Sequence, residues 1–125
     1  MGWGKHIVLA CECGFSTERA MVGHLLAHEC DHEGFTVIDA TYDATNRQIV
    51  THSFTLPRNI ELLLDSGATA EYEAKAERWF ELQREAVRER HGHLLNVLDD
   101  EVTDFECPAC GIRKLALRVD GDWIA

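Results

Sequence analysis

The first quarter of the chain holds its densest group of metal-ligating side chains. Cys11 and Cys13 lie one residue apart, and His24 and His28 follow with a spacing of four. Residues i and i+4 of a helix lie on one face, so both imidazoles would point back toward the cysteine-containing turn. Structural Zn²⁺ takes four nitrogen or sulfur ligands in a tetrahedron. The first hypothesis is therefore a local zinc site made of Cys11, Cys13, His24 and His28.

A second cysteine pair lies near the C-terminus, in the sequence Cys107-Pro-Ala-Cys110-Gly111. In a reducing compartment, such a close pair is better explained by metal binding than by a disulfide. His91 and His93 lie upstream, and they would complete a second local site with this pair. The alternative interpretation of His91 and His93 is that they are surface histidines at a helix end, where the helix dipole favours them.

A third arrangement uses no histidine. Both cysteine pairs are followed by a glycine, which allows the tight turn that a metal-binding knuckle needs. Cys11 and Cys13 would then combine with Cys107 and Cys110 in one four-cysteine zinc site. Such a site would bridge the two ends of the chain and leave the histidines free.

Two stretches resemble known zinc-binding families. The segment Met21-Val-Gly-His24-Leu-Leu-Ala-His28 resembles the hydrophobic-x-x-His-x-x-x-His half of a two-Cys/two-His zinc finger, with Cys11 and Cys13 standing where the first half would lie. The sequence Cys-Pro-Ala-Cys-Gly at 107–111 is similar to the knuckle of a zinc ribbon. The finger resemblance covers about residues 7–30 and implies a zinc-finger-like unit. It also implies nucleic-acid binding as an alternative function.

The charge balance argues against that alternative. The 125 residues include 12 Lys and Arg against 22 Asp and Glu, which gives a formal net charge of −10. A phosphate backbone requires a basic surface, so nucleic-acid binding is disfavoured. Neither a secretory signal pattern nor a membrane-length apolar run is present in the sequence, so we expect a cytoplasmic protein or one assembled into a particle from the cytoplasm.

The hydrophobic pattern predicts an α+β fold. Apolar residues at helical spacing predict a helix after residue 16, and β-branched and aromatic runs at 35–54 predict a β-hairpin. A short helix over 58–65 precedes one long amphipathic helix over 69–91. Asp120-Gly121 predicts the turn of a hairpin after the second knuckle. We expect a zinc-finger-like unit at 1–34 and an α+β body at 35–125, packed together as one compact domain.

These features together favour a structural role for zinc. Closed sets of four protein ligands leave no open coordination position, and the sequence lacks a His-Glu-x-x-His motif. We therefore expect a non-enzymatic zinc-binding interaction protein, a subunit of a larger protein assembly such as a virion. A nucleic-acid-binding regulator is the alternative, and a metal-dependent hydrolase is less favoured.

Overall fold

A curled antiparallel sheet of six strands dominates the computed structural model, which describes residues 2–26, 35–95 and 100–124. The order across the sheet is β4-β3-β2-β1-β6-β5, so β1 and β2 are central strands. The strands are β1 (Gly2–Ala10), β2 (Ala20–Leu26), β3 (Phe35–Asp43), β4 (Gln48–Thr55), β5 (Glu101–Glu106) and β6 (Lys114–Ile124). Two helices, α1 (Arg58–Asp65) and α2 (Thr69–His91), connect β4 to the last part of the chain.

The α+β prediction is wrong, because the fold is mostly antiparallel β with one main helix. Much of the error comes from the helix predicted after residue 16. Residues 20–26 instead form β2, which pairs with β1 on one side and β3 on the other. The apolar run is short enough to fit either the helical period or the strand period. Its pairing with β1 and β3, which are formed elsewhere in the chain, makes it a strand. Gly23 lies within the run and disfavours a helix.

The predicted C-terminal hairpin is also wrong. β6 continues through Asp120 and Gly121 instead of turning there, and its register with β1 shifts at this point. Ile7 lies opposite Val119 whereas Lys5 lies opposite Asp122, which is the arrangement of a β-bulge. The C-terminal hairpin is instead formed by β5 and β6, with the second cysteine pair at its tip.

The middle of the chain agrees with the sequence pattern. β3 and β4 pair in register from Thr36 with Thr55 to Asp43 with Gln48, which confirms the hairpin. The two helices predicted over 58–65 and 69–91 are present, and α2 ends before Gly92. Within the described ranges, no helix is both long enough and apolar enough to cross a membrane.

The core divides into two groups of buried side chains. One group joins β3 and β4 to the two helices through residues such as Val37, Phe54 and Phe80. The second group contains Ile7, Leu9, Leu115 and Leu117, none of which is exposed to solvent, and it also contains two of the cysteines. These two cysteines, Cys11 and Cys107, therefore belong to a packed core and directly follow β1 and β5, respectively.

Trp123 ties the end of β6 to β2, and this contact yields a prediction. Its indole Nε1–H donates a buried hydrogen bond of 2.9 Å to the carbonyl oxygen of Val22. Trp123→Phe keeps the aromatic ring but leaves that carbonyl without its donor, so we expect a loss of about 1–2 kcal/mol in the free energy of unfolding. Urea denaturation measures this loss. Trp3→Phe is the matched control, because Trp3 is half exposed and should change stability less.

Candidate metal centre

The turn that contains Cys11 and Cys13, which we call the first knuckle, begins where β1 ends. The backbone N–H of Cys11 donates to the carbonyl oxygen of Phe15 (2.8 Å), and the N–H of Gly14 donates to the carbonyl oxygen of Cys11 (3.0 Å). Thr17 closes the turn, since its hydroxyl oxygen accepts a hydrogen bond from the N–H of Leu9 (3.0 Å). Gly14 has a φ of +108°, a conformation that favours glycine. The turn therefore holds Cys11 and Cys13 at the end of a buried strand.

The turn that contains Cys107 and Cys110, which we call the second knuckle, has a similar pattern of backbone hydrogen bonds and lies at the tip of the β5–β6 hairpin. The N–H of Cys107 donates to the carbonyl oxygen of Arg113 (2.8 Å), and the N–H of Gly111 donates to the carbonyl oxygen of Cys107 (2.9 Å). Gly111 has a φ of +66°, again a conformation that favours glycine. Because β6 pairs with β1, the two knuckles meet at the same end of the sheet.

The four thiol groups form one cluster between the knuckles. Their sulfur atoms all lie within 4.8 Å of one another, with Sγ of Cys11 3.7 Å from Sγ of Cys110 and Sγ of Cys13 3.6 Å from Sγ of Cys107. A tetrahedron with Zn–S bonds of about 2.3 Å has S–S edges of about 3.8 Å. Two of the sulfur–sulfur distances are close to that edge length and the others do not exceed 4.8 Å, so the group could hold a metal ion.

Backbone N–H groups point toward the sulfur atoms of the second knuckle. The N–H groups of Ile112 and Arg113 are the main cause that lowers the pKa of Cys110 to about 6. Burial acts to raise the pKa of Cys107, but the N–H groups of Cys110 and Ala109 and the neighbouring thiols lower it overall. The lowered pKa of both cysteines favours the thiolate, which is the form that binds metal.

Cys11 of the first knuckle loses its proton less readily than Cys110, because its pKa is raised. The N–H of Cys13 acts to lower the pKa of Cys11, but burial and the three other thiols raise it to about 12. Like charges at this separation disfavour each other's ionised form. A bound divalent cation would remove that conflict, because it favours the deprotonated form of every coordinating thiol.

His24, one of the two histidines of the first hypothesis, does not join this cluster. His24 lies on β2, where its ring stacks between Trp3 (centroids 5.4 Å apart) and Phe35 (5.5 Å). Its Nδ1 is buried and has no hydrogen-bond partner in the part of the chain that the structure describes. His28 lies outside the described residues. The cluster instead contains the four cysteines of the chain-bridging arrangement.

The histidines of the second hypothetical site also lie apart from the four-cysteine group. His91 is the last residue of α2, and its ring lies against that of His52 on β4, with centroids 4.8 Å apart. His93 lines a cavity of about 300 Å³ beside β5. The group of sulfur atoms that contains Cys107 and Cys110 includes neither imidazole.

The contact between His52 and His91 predicts a pH dependence of stability. Burial lowers the pKa of His52 first, and His91 lowers it further, while the hydroxyl of Thr41 lies 2.8 Å from its Nε2. A lowered folded-state pKa means that the unfolded chain binds the proton more readily. His52 therefore contributes stability above about pH 6.5, its unfolded value, and this stability is lost as the pH falls toward the folded pKa.

The measurement is the free energy of unfolding between pH 7.5 and pH 5 for the natural chain and for His52→Gln. We expect the difference between the two proteins to shrink as the pH falls. A difference that stays constant would contradict this account of His52.

The cationic side chains also divide into two groups. Arg84 on α2 is paired with Asp39 of β3 (2.9 Å), whereas Arg113, Lys114 and Arg118 border a cavity of about 300 Å³ beside Cys11. β1 and β2 lie between β3 and β6 in the sheet. Arg84 therefore contacts a different part of the sheet from the part that lies beside Arg113, Lys114 and Arg118.

The fold and the site define this chain as a curled antiparallel sheet with a four-cysteine cluster of metal-binding geometry. Comparison with family models, with curated proteins and with solved structures found no match.

The sequence contained a signal for this ligand set. Each cysteine pair precedes a glycine, and the segment between Cys13 and His24 is shorter than in the finger family. A strand-forming run leads into Cys11, which places the first pair at a strand end. What the sequence did not provide was the pairing of β1 with β6, which brings Cys13 to Cys107 across 94 residues.

Proposed function

We propose that the chain binds one Zn²⁺ through Cys11, Cys13, Cys107 and Cys110, and that the ion is a structural staple. The observation that carries the proposal is the cluster of four sulfur atoms within 4.8 Å of one another, two pairs of which lie 3.6 and 3.7 Å apart. A closed set of four protein ligands is typical of structural zinc rather than catalytic zinc. The staple would hold the end of β1 against the β5–β6 hairpin.

The charges around the cluster support this proposal. A zinc ion with four thiolates carries a net charge of −2. Arg113, Lys114 and Arg118 line the cavity next to Cys11 with one acidic residue, Glu12, which leaves an excess of positive charge close to that anion. Arg113 is also paired with Glu12, which lies between the two cysteines of the first knuckle. This ion pair links the knuckles a second time.

Metal analysis of the purified protein tests the proposal. We expect one zinc per chain in the natural protein and in His24→Ala, because His24 is not among the proposed ligands. Cys110→Ser should lose stoichiometric zinc. A zinc-free natural protein would contradict the proposal, and loss of zinc in His24→Ala with retention in Cys110→Ser would favour the local finger instead.

We further propose that the stapled domain is an interaction module that takes part in a larger protein assembly, such as a virion. The observation that favours this role is the outer face of α2. This face exposes Ala74 and Leu82, which is 46% exposed, together with glutamates and Arg78. Its acidic side chains are Glu77, Glu81 and Glu85.

The spacing of these glutamates has an energetic cost. Glutamates recur at every fourth residue from Glu73 to Glu89, and like charges at i and i+4 destabilise a helix by roughly 0.2–0.5 kcal/mol per pair. Glu81 is partly compensated by Arg88 at 3.0 Å. An acidic helix face that also exposes Ala74 and Leu82 fits a basic amphipathic segment of a partner protein.

A synthetic amphipathic peptide with lysines on one face and leucines on the other is the probe for this surface. We expect its affinity to fall at least about tenfold, or roughly 1.4 kcal/mol, when all three glutamates become glutamine, and to fall also in Leu82→Ser. The matched control neutralises three acidic residues elsewhere, by Glu18→Gln, Asp104→Asn and Glu106→Gln. Equal losses in the two triple variants would show that only net charge matters and would contradict a site on α2.

A further inference from the structure

The cysteine cluster combines solvent access with close sulfur contacts between the knuckles. Cys13 is exposed and Cys110 is partly exposed, whereas Cys11 and Cys107 are buried. Each cysteine of the first knuckle has a sulfur of the second knuckle at 3.6 or 3.7 Å. Such an arrangement allows an oxidant to reach one sulfur and a second thiolate to attack it afterwards.

We propose that the cluster is a site of oxidative modification, at which hydrogen peroxide releases the zinc and forms two disulfides between the knuckles, Cys13–Cys107 and Cys11–Cys110. The inference rests on the proposed zinc site and adds a regulation of that site. Its observations are the exposure of Cys13 and the two contacts between sulfur atoms of different knuckles.

The first step takes place at Cys13 because it is the most exposed of the four cysteine residues. The Cys13 thiolate attacks one oxygen of hydrogen peroxide, the O–O bond breaks, and hydroxide leaves. The product is a sulfenic acid, in which the sulfur has lost two electrons to the peroxide. A sulfenic acid is a much poorer metal ligand than a thiolate, so zinc coordination weakens at this point.

The second step joins the knuckles. The thiolate of Cys107, whose sulfur lies 3.6 Å from that of Cys13, attacks the sulfenic sulfur. The S–S bond forms, the S–O bond breaks, and a second hydroxide leaves. A second peroxide converts Cys11 and Cys110 in the same way, since their sulfur atoms are 3.7 Å apart. In total, four thiolates and two peroxides give two disulfides and four hydroxides, and Zn²⁺ is released.

The pairing between knuckles has a structural consequence. Disulfides within each knuckle, Cys11–Cys13 and Cys107–Cys110, would leave the end of β1 without a covalent link to the hairpin. The pairs between knuckles join residues 94 and 99 positions apart and so replace the zinc staple with covalent bonds. The oxidised, zinc-free protein should therefore melt at a higher temperature than the reduced, zinc-free protein.

The experiment treats the full-length, zinc-loaded protein with hydrogen peroxide and follows zinc release with a chromogenic chelator. Cys30→Ser removes the fifth cysteine and serves as a parallel sample with four thiols. We expect one Zn²⁺ released per two disulfides formed. Mass spectrometry of the unreduced peptides should find Cys13 linked to Cys107 and Cys11 linked to Cys110. Dimedone present during oxidation should label Cys13 first.

Different outcomes separate this inference from the zinc proposal. A protein without zinc before any oxidant is added would overturn both. A protein that holds zinc but keeps it in excess peroxide would overturn the oxidation alone. Disulfides within the knuckles, or first labelling at a cysteine other than Cys13, would also overturn the proposed reaction and leave the zinc site standing.

Discussion

Removal of the metal by a chelator is expected to lower the thermal stability of the protein strongly. A ligand present at a thousand times its dissociation constant stabilises the folded state by about 4 kcal/mol. For a domain of this size, that corresponds to roughly 10–20 °C in melting temperature. The physical reason is that the proposed metal would join Cys11 and Cys13 to Cys107 and Cys110 and would offset the repulsion among four sulfur ligands. Differential scanning calorimetry with and without chelator measures the effect.

Cys107→Ser should give a comparable loss without any chelator, since serine has nearly the size of cysteine but does not replace a thiolate on zinc. Cys107 is 1% exposed, so the substitution also places a hydroxyl group in the core. Cys30→Ser is the matched control, because the proposed ligand set does not use Cys30. A melting temperature that stays the same after verified removal of the metal would contradict the staple.

A side chain at position 23 is expected to destabilise the sheet by about 3 kcal/mol or more. Gly23 has a φ of +143°, and a Cβ there would lie 2.3 Å from the carbonyl oxygen of Trp3 and 2.6 Å from Cα of Gly4. These are backbone atoms of β1, so relief requires the two central strands to separate. Overpacking and backbone strain each cost about 1–3 kcal/mol, against a typical total stability of 5–15 kcal/mol.

Gly67→Ala is the control for Gly23→Ala. Gly67 also has a positive φ, +85°, but a Cβ there would meet no atom within 4 Å. The control therefore retains the backbone strain and lacks the clash. Chemical denaturation should find Gly67→Ala much less destabilised than Gly23→Ala, and equal losses would show that close approach of β1 and β2 is not the cause.

The sequence pattern correctly predicted the elements that are formed by residues close together in the chain, namely the β3–β4 hairpin and α2. The hairpin of β3 and β4 has two β-rich runs around a turn, in which Asp43 accepts hydrogen bonds from the N–H groups of Thr45 and Asn46. The helix α2 has an apolar stripe that packs through Ala76, Phe80 and Val87. In both cases, the pattern that predicts the element lies within the residues that form it.

The order of the strands and the grouping of the four cysteines depend on contacts between residues that are far apart in the sequence. Residues 20–26 become a strand because β1 and β3 are both available to pair with them, and no local pattern encodes those partners. Likewise, Cys11 and Cys13 have two chemically acceptable sets of partners. The pairing of β1 with β6 brings the second cysteine pair to them, while β2 carries His24 into a stack with Trp3 and Phe35.

X-ray absorption at the zinc edge tests the central claim most directly, because it counts the ligand atoms around the metal. The four-cysteine staple predicts four sulfur atoms at about 2.3 Å and no nitrogen in the first shell. Two sulfur atoms with two nitrogen atoms at about 2.0–2.1 Å would contradict it and would restore the local cysteine–histidine site.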